Sequence, residues 1–206
     1  MNRTFLFLIL FAISASTYAT SVHVPGYVVT LEQDTIFGEI KIKIDNNSHF
    51  IPSSVEDKIV FVPNKGKRKK YVPGSILYFF FFYNFESVTY ATVPYFNGQL
   101  FMRVISETGF LKMYHYYPDD EKGLSSVYEL AEFVYATDFD EINFFYILKP
   151  DGSFLFLGRH TPRNKILSFF SDDPELAEKI DSREYKYTDV YRMVREYNNF
   201  KAENTE

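Results

Sequence analysis

The sequence predicts an α+β fold: a curved antiparallel β-sheet, arranged as a meander, a barrel-like closure or a sandwich, followed by short C-terminal helices packed on it. Three observations carry this expectation. Phe and Tyr are abundant (23 and 17 of 206 residues) while Trp is absent, a composition weighted toward side chains that suit pleated, half-buried surfaces. Through the first two-thirds of the chain apolar and polar residues alternate, and turn-forming residues recur at hairpin spacing. The last quarter changes to a period of three to four, with capping residues ahead of the apolar runs. Strands first and helices last is the order of a segregated α+β domain.

The elements follow in order. Residues 26–31 make a short apolar-rich strand, 32–35 a polar turn and 36–44 a second strand. There Ile40, Ile42 and Ile44 alternate with Lys41, Lys43 and Asp45, the period of a sheet with one wet face, which specifies the register. Further strands are predicted at 58–62 and 70–72 around the Asn64-Lys65-Gly66 turn, and at 75–85, 87–93, 99–105 and 109–116. Asn97-Gly98 and Ser106-Glu107-Thr108-Gly109 place Gly where a hairpin favours positive φ. Lys149-Pro150-Asp151-Gly152 turns the chain between strands at 142–148 and 153–157. Residues 127–136 fit a helical spacing through Leu130, Ala131 and Val134, but Val127, Tyr128, Phe133 and Tyr135 favour a strand. A short helical piece is predicted at 164–170. Asp173 is the N-cap of a second helix, with Pro174 at its first position and Leu176, Ala177 and Ile180 on one face. Thr188 or Asp189 caps a third, in which Val190, Met193, Val194 and Tyr197 form the apolar stripe and Phe200 continues it. The acidic tail, 201–206, is expected to be disordered. With no repeat and no Pro-, Gly- or Ser-rich linker, residues 20–206 read as a single domain.

Residues 1–19 read as an export signal. Arg3 supplies the positive start, residues 5–13 an uninterrupted apolar run, and Thr17 and Ala19 the small residues of a cleavage site. That run is too short to span a bilayer, which takes ~20 residues, and no other stretch of membrane-spanning length is free of polar breaks. The mature chain therefore has no predicted transmembrane segment. It also has no Cys, so no disulfide, thiol nucleophile, iron–sulfur cluster or Cys-ligated zinc enters the reading, and stability must come from apolar burial. An exported chain without disulfides points to a bacterial envelope: periplasmic, associated with the outer membrane, or secreted. The net charge of −5 gives no reason to expect nucleic acid.

Two surfaces stand out as candidate sites. Residues 78–85 hold seven aromatics in eight positions. Such a strand must be covered or paired, and it is read as a central strand under the helices or, through Tyr78, Phe80, Phe82 and Tyr83, as the wall of an aromatic pocket or partner face. Lys65, Lys67, Arg68, Lys69 and Lys70 put five cations in six residues, a solvated hairpin tip that doubles as a candidate patch for an anionic surface. The carboxylates at 119–121, Asp138, Asp140, Glu141 and Asp172-Asp173 lack the glycine and terminal glutamate of a calcium loop. His23, His49, His115 and His160 are too widely spaced for a zinc motif, and His115, between Tyr114 and Tyr116, reads as a sheet residue. Neither a nucleophile elbow nor a Gly-rich phosphate loop is present, and no cofactor is expected.

Gly26-Tyr27-Val28-Val29-Thr30, followed by Asp34-Thr35-Ile36-Phe37-Gly38-Glu39-Ile40, resembles the opening of an uncharacterised family of exported proteins common in Bacteroidota-type bacteria. The segment from Phe101 to Tyr114, with its strand, Gly109 and Leu111, and the ending from Asp173-Pro174-Glu175-Leu176 to Tyr197-Asn198, are similar as well. The resemblance implies an envelope location and no particular activity. The sequence reading is thus an exported, non-catalytic binding module that uses an aromatic-lined sheet surface or pocket to hold an envelope protein, a polysaccharide or an anionic surface. Its alternative is a secreted hydrolase, with a carboxylate pair or with His115 or His160 beside Asp138, Asp140 or Glu141. If the export reading holds, intact-mass analysis of the protein recovered from outside the cytoplasm of an exporting host gives a chain starting at Thr20; a chain starting at Met1 contradicts it.

Overall fold

In the computed structural model, which describes residues 19–95, 97–117 and 144–204, ten strands form one open antiparallel sheet. The strands are β1 (Thr20–Val29), β2 (Thr35–Ile44), β3 (Ile59–Pro63), β4 (Lys69–Tyr71), β5 (Tyr78–Tyr83), β6 (Glu86–Tyr95), β7 (Gly98–Ser106), β8 (Lys112–Tyr116), β9 (Phe144–Leu148) and β10 (Phe154–Leu157). Across the sheet their order is β10-β9-β8-β7-β6-β5-β1-β2-β3-β4. Two meanders, β1–β4 and β5–β10, are therefore joined by the pairing of β1 with β5, in which Val29 lies opposite Tyr78 and Gly26 opposite Phe81. The residues at 127–136 and the carboxylates at 119–121 and 138–141 lie outside the described residues.

The connection from β4 to β5 forces the sheet to roll. The register places Tyr71 beside Ile59, Lys41 beside Val60, and Val29 beside Tyr78. Laid flat, Tyr71 and Tyr78 would stand roughly 30 Å apart, four strand spacings of ~4.8 Å to the side and seven residues of ~3.3 Å along the strand. Residues 72–77 reach about 24 Å at full extension. The strands must curl, and glycine permits the bend. Gly26 and Gly38 face each other across β1 and β2; a Cβ at Gly26 would stand 2.2 Å from the Phe80 carbonyl oxygen, and one at Gly38 2.2 Å from that of Val62. Adjacent backbones approach there as no other residue allows.

Rolling gives the sheet an inner and an outer face. The inner face of β1–β7 encloses one core, with Val28, Ile40, Phe61, Ile76, Phe79, Phe81 and Phe101 wholly buried. Residues 45–58, after β2, lie across this face. Phe50 meets Phe81 and Tyr90 edge-on, Val55 is buried, and the Glu56 carbonyl accepts the Phe101 N–H of β7 at 3.0 Å. A strand four places away from β2 is thereby reached by β2's own loop.

The helices cover the other end of the same face. They are α1 (Arg163–Phe169), α2 (Pro174–Asp181) and α3 (Val190–Asn204), and they bury Ile166, Phe170, Leu176, Ile180, Met193, Val194 and Tyr197 against Leu111, Met113, Ile147, Leu155 and Leu157. This corrects the expectation that the helices sit over the aromatic strand: they seal β8–β10, whereas β5 is covered by its own rolled sheet and by residues 45–58. Asp173 caps α2 as predicted, accepting the Leu176 N–H at 3.1 Å with Pro174 behind it. A single turn of 3-10 helix, Tyr187–Asp189, leads into α3.

The tail is a second correction. Helix α3 continues to Asn204, because Lys201 is tethered rather than free: its ammonium pairs with Asp172 and lies over the rings of Phe110, Tyr197 and Phe200. Asp172 also accepts the Tyr197 hydroxyl through both oxygens, at 2.8 and 2.7 Å. Burial raises the Asp172 pKa, but the bonds from Lys201 and Tyr197 and the charge of Lys149 outweigh it and hold the carboxyl down at about 2. Asn198 adds a further tie, its Oδ1 accepting the Leu111 N–H at 2.7 Å. Because a methyl group has no room at the β1–β2 bend, Gly26→Ala is expected to cost about 2–3 kcal/mol in chemical denaturation; an unchanged midpoint would contradict the close approach.

Candidate functional site

Period-two alternation carried across a rolled sheet makes each transverse row of side chains belong to one face. On the outer face one such row runs Phe37, Tyr27, Phe80, Thr89, Val104, Tyr114, Tyr146 and Phe156, each opposite the next in register or continuing it. Its two halves differ. Toward β10 the face is closed: Ala91, Val93, Met102, Tyr114, Tyr116 and Tyr146 are buried. Toward β4 it is open. Phe37 is 61% exposed and Phe82 45% exposed. Tyr27 joins the stripe by stacking on Phe80 (centroids 5.0 Å, 17° between planes) and meeting Phe37 edge-on at 5.7 Å.

The aromatic strand is thus split by its own alternation. Tyr78, Phe80 and Phe82 share the outer face, while Phe79 and Phe81 fill the inner core. Tyr83 is corrected: grouped with the other three from sequence, it faces inward against that core, and its hydroxyl donates to the Ser48 carbonyl at 2.7 Å. Tyr78 packs on the closed half of the outer face, which leaves Phe80 and Phe82 of the four in the open stripe. Sequence reasoning missed Tyr27 and Phe37, whose signal is the outward parity of Phe37 in the Ile36–Ile44 alternation.

The five cations are all exposed. Lys65, Lys67 and Arg68 lie in the β3–β4 connection, whose first residue, Asn64, donates its N–H to the Phe37 carbonyl at 3.0 Å. Lys69 and Lys70 lie in β4, and Lys70 stands opposite Val60, which stands opposite Lys41 and, through it, His23. Lys41, Lys43 and Lys70 therefore share the outer face with the aromatic stripe, and among the described residues none of them is in an ion pair. Glu39 is the acid of this patch, opposite Pro25 and Val62.

The hairpin between β5 and β6 adds another exposed ring. Asn84 and Phe85 occupy its two-residue turn at φ +47° and +65°, the arrangement of a type I′ turn, which suits Asn followed by Gly. Phe85 stands where the turn favours glycine and is 95% exposed. The tip is fixed: the Asn84 Nδ2 donates to the same Ser48 carbonyl as Tyr83, at 3.1 Å.

The inner face carries one polar row, where the two cores meet. Tyr90, Arg103, His115 and Phe145 lie opposite one another on β6–β9. His115 stacks on Phe145 (5.0 Å, 10°) and meets the Tyr117 ring at 4.1 Å, while Arg103 pairs with Glu86 at 3.5 Å. Glu56, 4% exposed, accepts the Tyr117 N–H at 2.8 Å. Burial first, and then the Glu56 charge, push the Tyr90 hydroxyl well above its ordinary pKa. His160 is exposed on the turn after β10 and does not join the row, and the carboxylates named as its partners lie outside the described residues. Among the described residues no three His, Asp or Glu side chains converge as a metal would require, and no helix is long and apolar enough to cross a membrane.

A left-handed conformation costs a residue with a Cβ about 1–2 kcal/mol, and glycine gives back roughly half of that gain as unfolded-state entropy. Phe85→Gly is therefore expected to raise stability by about 0.5–1 kcal/mol, read as a higher denaturation midpoint; a loss of stability would show that Phe85 supports the fold. Comparisons of the chain with family models, with curated proteins and with solved structures find no match.

Proposed function

We propose that the protein is an exported, envelope-associated, non-catalytic binding module whose open outer sheet face docks a partner surface. The observation that carries this reading is the stripe of exposed Phe37 and Phe82 with half-buried Tyr27 and Phe80, on a face that is buried along its other half. Contiguous exposed apolar surface of this kind marks interaction sites. The export reading rests on the charge, apolar run and small-residue order of residues 1–19, and β1 begins at Thr20, next to the proposed cleavage point. On this reading the protein works outside the cytoplasm, in the periplasm, on the outer membrane or in the medium.

The rows supply the mechanism. The rolled sheet holds Phe37, Tyr27 and Phe80 in adjacent strands at a fixed spacing, so docking freezes few side-chain rotations, and the unpaired lysines beside them draw an anionic partner into register. Purified protein is expected to co-sediment with washed envelopes of the producing cells. Phe37→Ser/Phe82→Ser, which changes exposed rings alone, should weaken that association about tenfold or more with the melting temperature held. Equal sedimentation by the variant, or none by the parent, would contradict the reading.

A further inference from the structure

The β5–β6 hairpin spends conformational energy to hold an aromatic ring in water. Phe85 has φ +65°, is 95% exposed and makes no ring contact among the described residues, while Tyr83 and Asn84 brace the tip against Ser48. A ring held in a strained turn without packing on the fold is a reason to look for its use outside the fold. Because β5 runs antiparallel to β1, this tip lies at the end of the sheet where β1 carries His23 and β2 carries Lys41 and Lys43, His23 opposite Lys41 and Ser21 opposite Lys43. Lys70 extends the same row on β4. Two acids near the tip are already taken, and Glu39, opposite Pro25, remains as an acid among the lysines of the outer face. Glu86 pairs with Arg103, and the Asp45 carboxylate accepts the Asn47 and His49 N–H groups at 2.8 and 2.7 Å and meets the His49 ring at 3.2 Å.

We propose that Phe85 and Phe82, with Lys41, Lys43 and Lys70, form a reversible anchor for an anionic lipid surface. The inference rests on the outer face being a docking surface and names what docks there. A single apolar insertion gives marginal membrane binding, and adding a cationic patch makes it stable, because each Lys near an anionic headgroup layer adds to the attraction. The tip supplies the insertion and the lysine row supplies the charge. A protein pocket would account for Phe85 alone; the unpaired lysine row beside it favours an extended anionic layer.

Flotation with phosphatidylcholine–phosphatidylglycerol vesicles, two parts to one, tests this on the full mature chain. The protein is expected to float with these vesicles and not with phosphatidylcholine alone. Phe85→Gly, a turn-compatible change, should lower the partition about tenfold with the fold retained. Lys41→Gln/Lys43→Gln/Lys70→Gln should abolish the preference for phosphatidylglycerol, and raising salt to about 0.5 M should do the same, since screening shortens the Debye length to a few ångström. The absence of flotation, equal flotation with both lipids, or an unchanged partition for Phe85→Gly would overturn the proposal. Retention on an acidic polysaccharide gel without vesicle binding would overturn it too, in favour of a polymer. If vesicles fail while Phe37→Ser/Phe82→Ser still loses envelope association, the docking face stands and the lipid assignment falls.

Discussion

The length of one connection governs this fold. Six residues between β4 and β5 cannot cross a flat sheet from its edge to its middle, so the chain closes only if the strands roll, and they roll where Gly26 and Gly38 let neighbouring backbones approach. Everything else follows from that curvature. It separates an inner face, dense with Phe79, Phe81, Phe101 and Ile40, from an outer one. It also brings residues 45–58 across to β7, where the Glu56 carbonyl holds the Phe101 amide. Without disulfides, the interior is sealed by side-chain packing and hydrogen bonds alone.

The roll leaves β8–β10 uncovered on the inner side, and the helices complete it. Their attachment is more than apolar. Asp172, placed between α1 and α2, gathers Tyr197, Lys149 and Lys201 around one carboxylate, and Arg163 caps α2 by donating twice to the Ile180 carbonyl at 2.9 and 2.8 Å. A charged cluster at a helix junction fixes the relative placement of helices that hydrophobic contact by itself would specify loosely. Between the two cores lies the row of Tyr90, Arg103 and His115, polar residues in an otherwise apolar transect.

Much of this was legible from local pattern. The Ile40, Ile42, Ile44 alternation marked the inward parity of β2, the Lys149-Pro150-Asp151-Gly152 turn located β9 and β10, and Asp173-Pro174 located the start of α2. What remained hidden is non-local. No local signal states that β5 pairs with β1, so sequence pattern alone puts the helices over the aromatic strand. Tyr83 groups with the outer stripe in sequence because the run from Tyr78 to Phe85 shows no polar residue to mark its parity before Asn84. The tail reads as frayed because its acidic composition is visible in sequence and the tether from Lys201 to Asp172, across twenty-nine positions, is not. The open aromatic stripe is half legible for the same reason: Phe80 and Phe82 stand out by composition, whereas Tyr27 and Phe37 join them only through strand register.

The functional reading depends on the outer row being buried along one half and open along the other. The contact that reports the roll most directly is the amide of Phe101, bonded to Glu56 from a loop four strands away. Native-state hydrogen exchange at that amide should show protection close to that of the central β5–β6 ladder, opening only with global unfolding. Exchange at the rate of an exposed loop amide, with β5 and β6 still protected, would mean that the sheet does not roll onto β7 and would contradict the account.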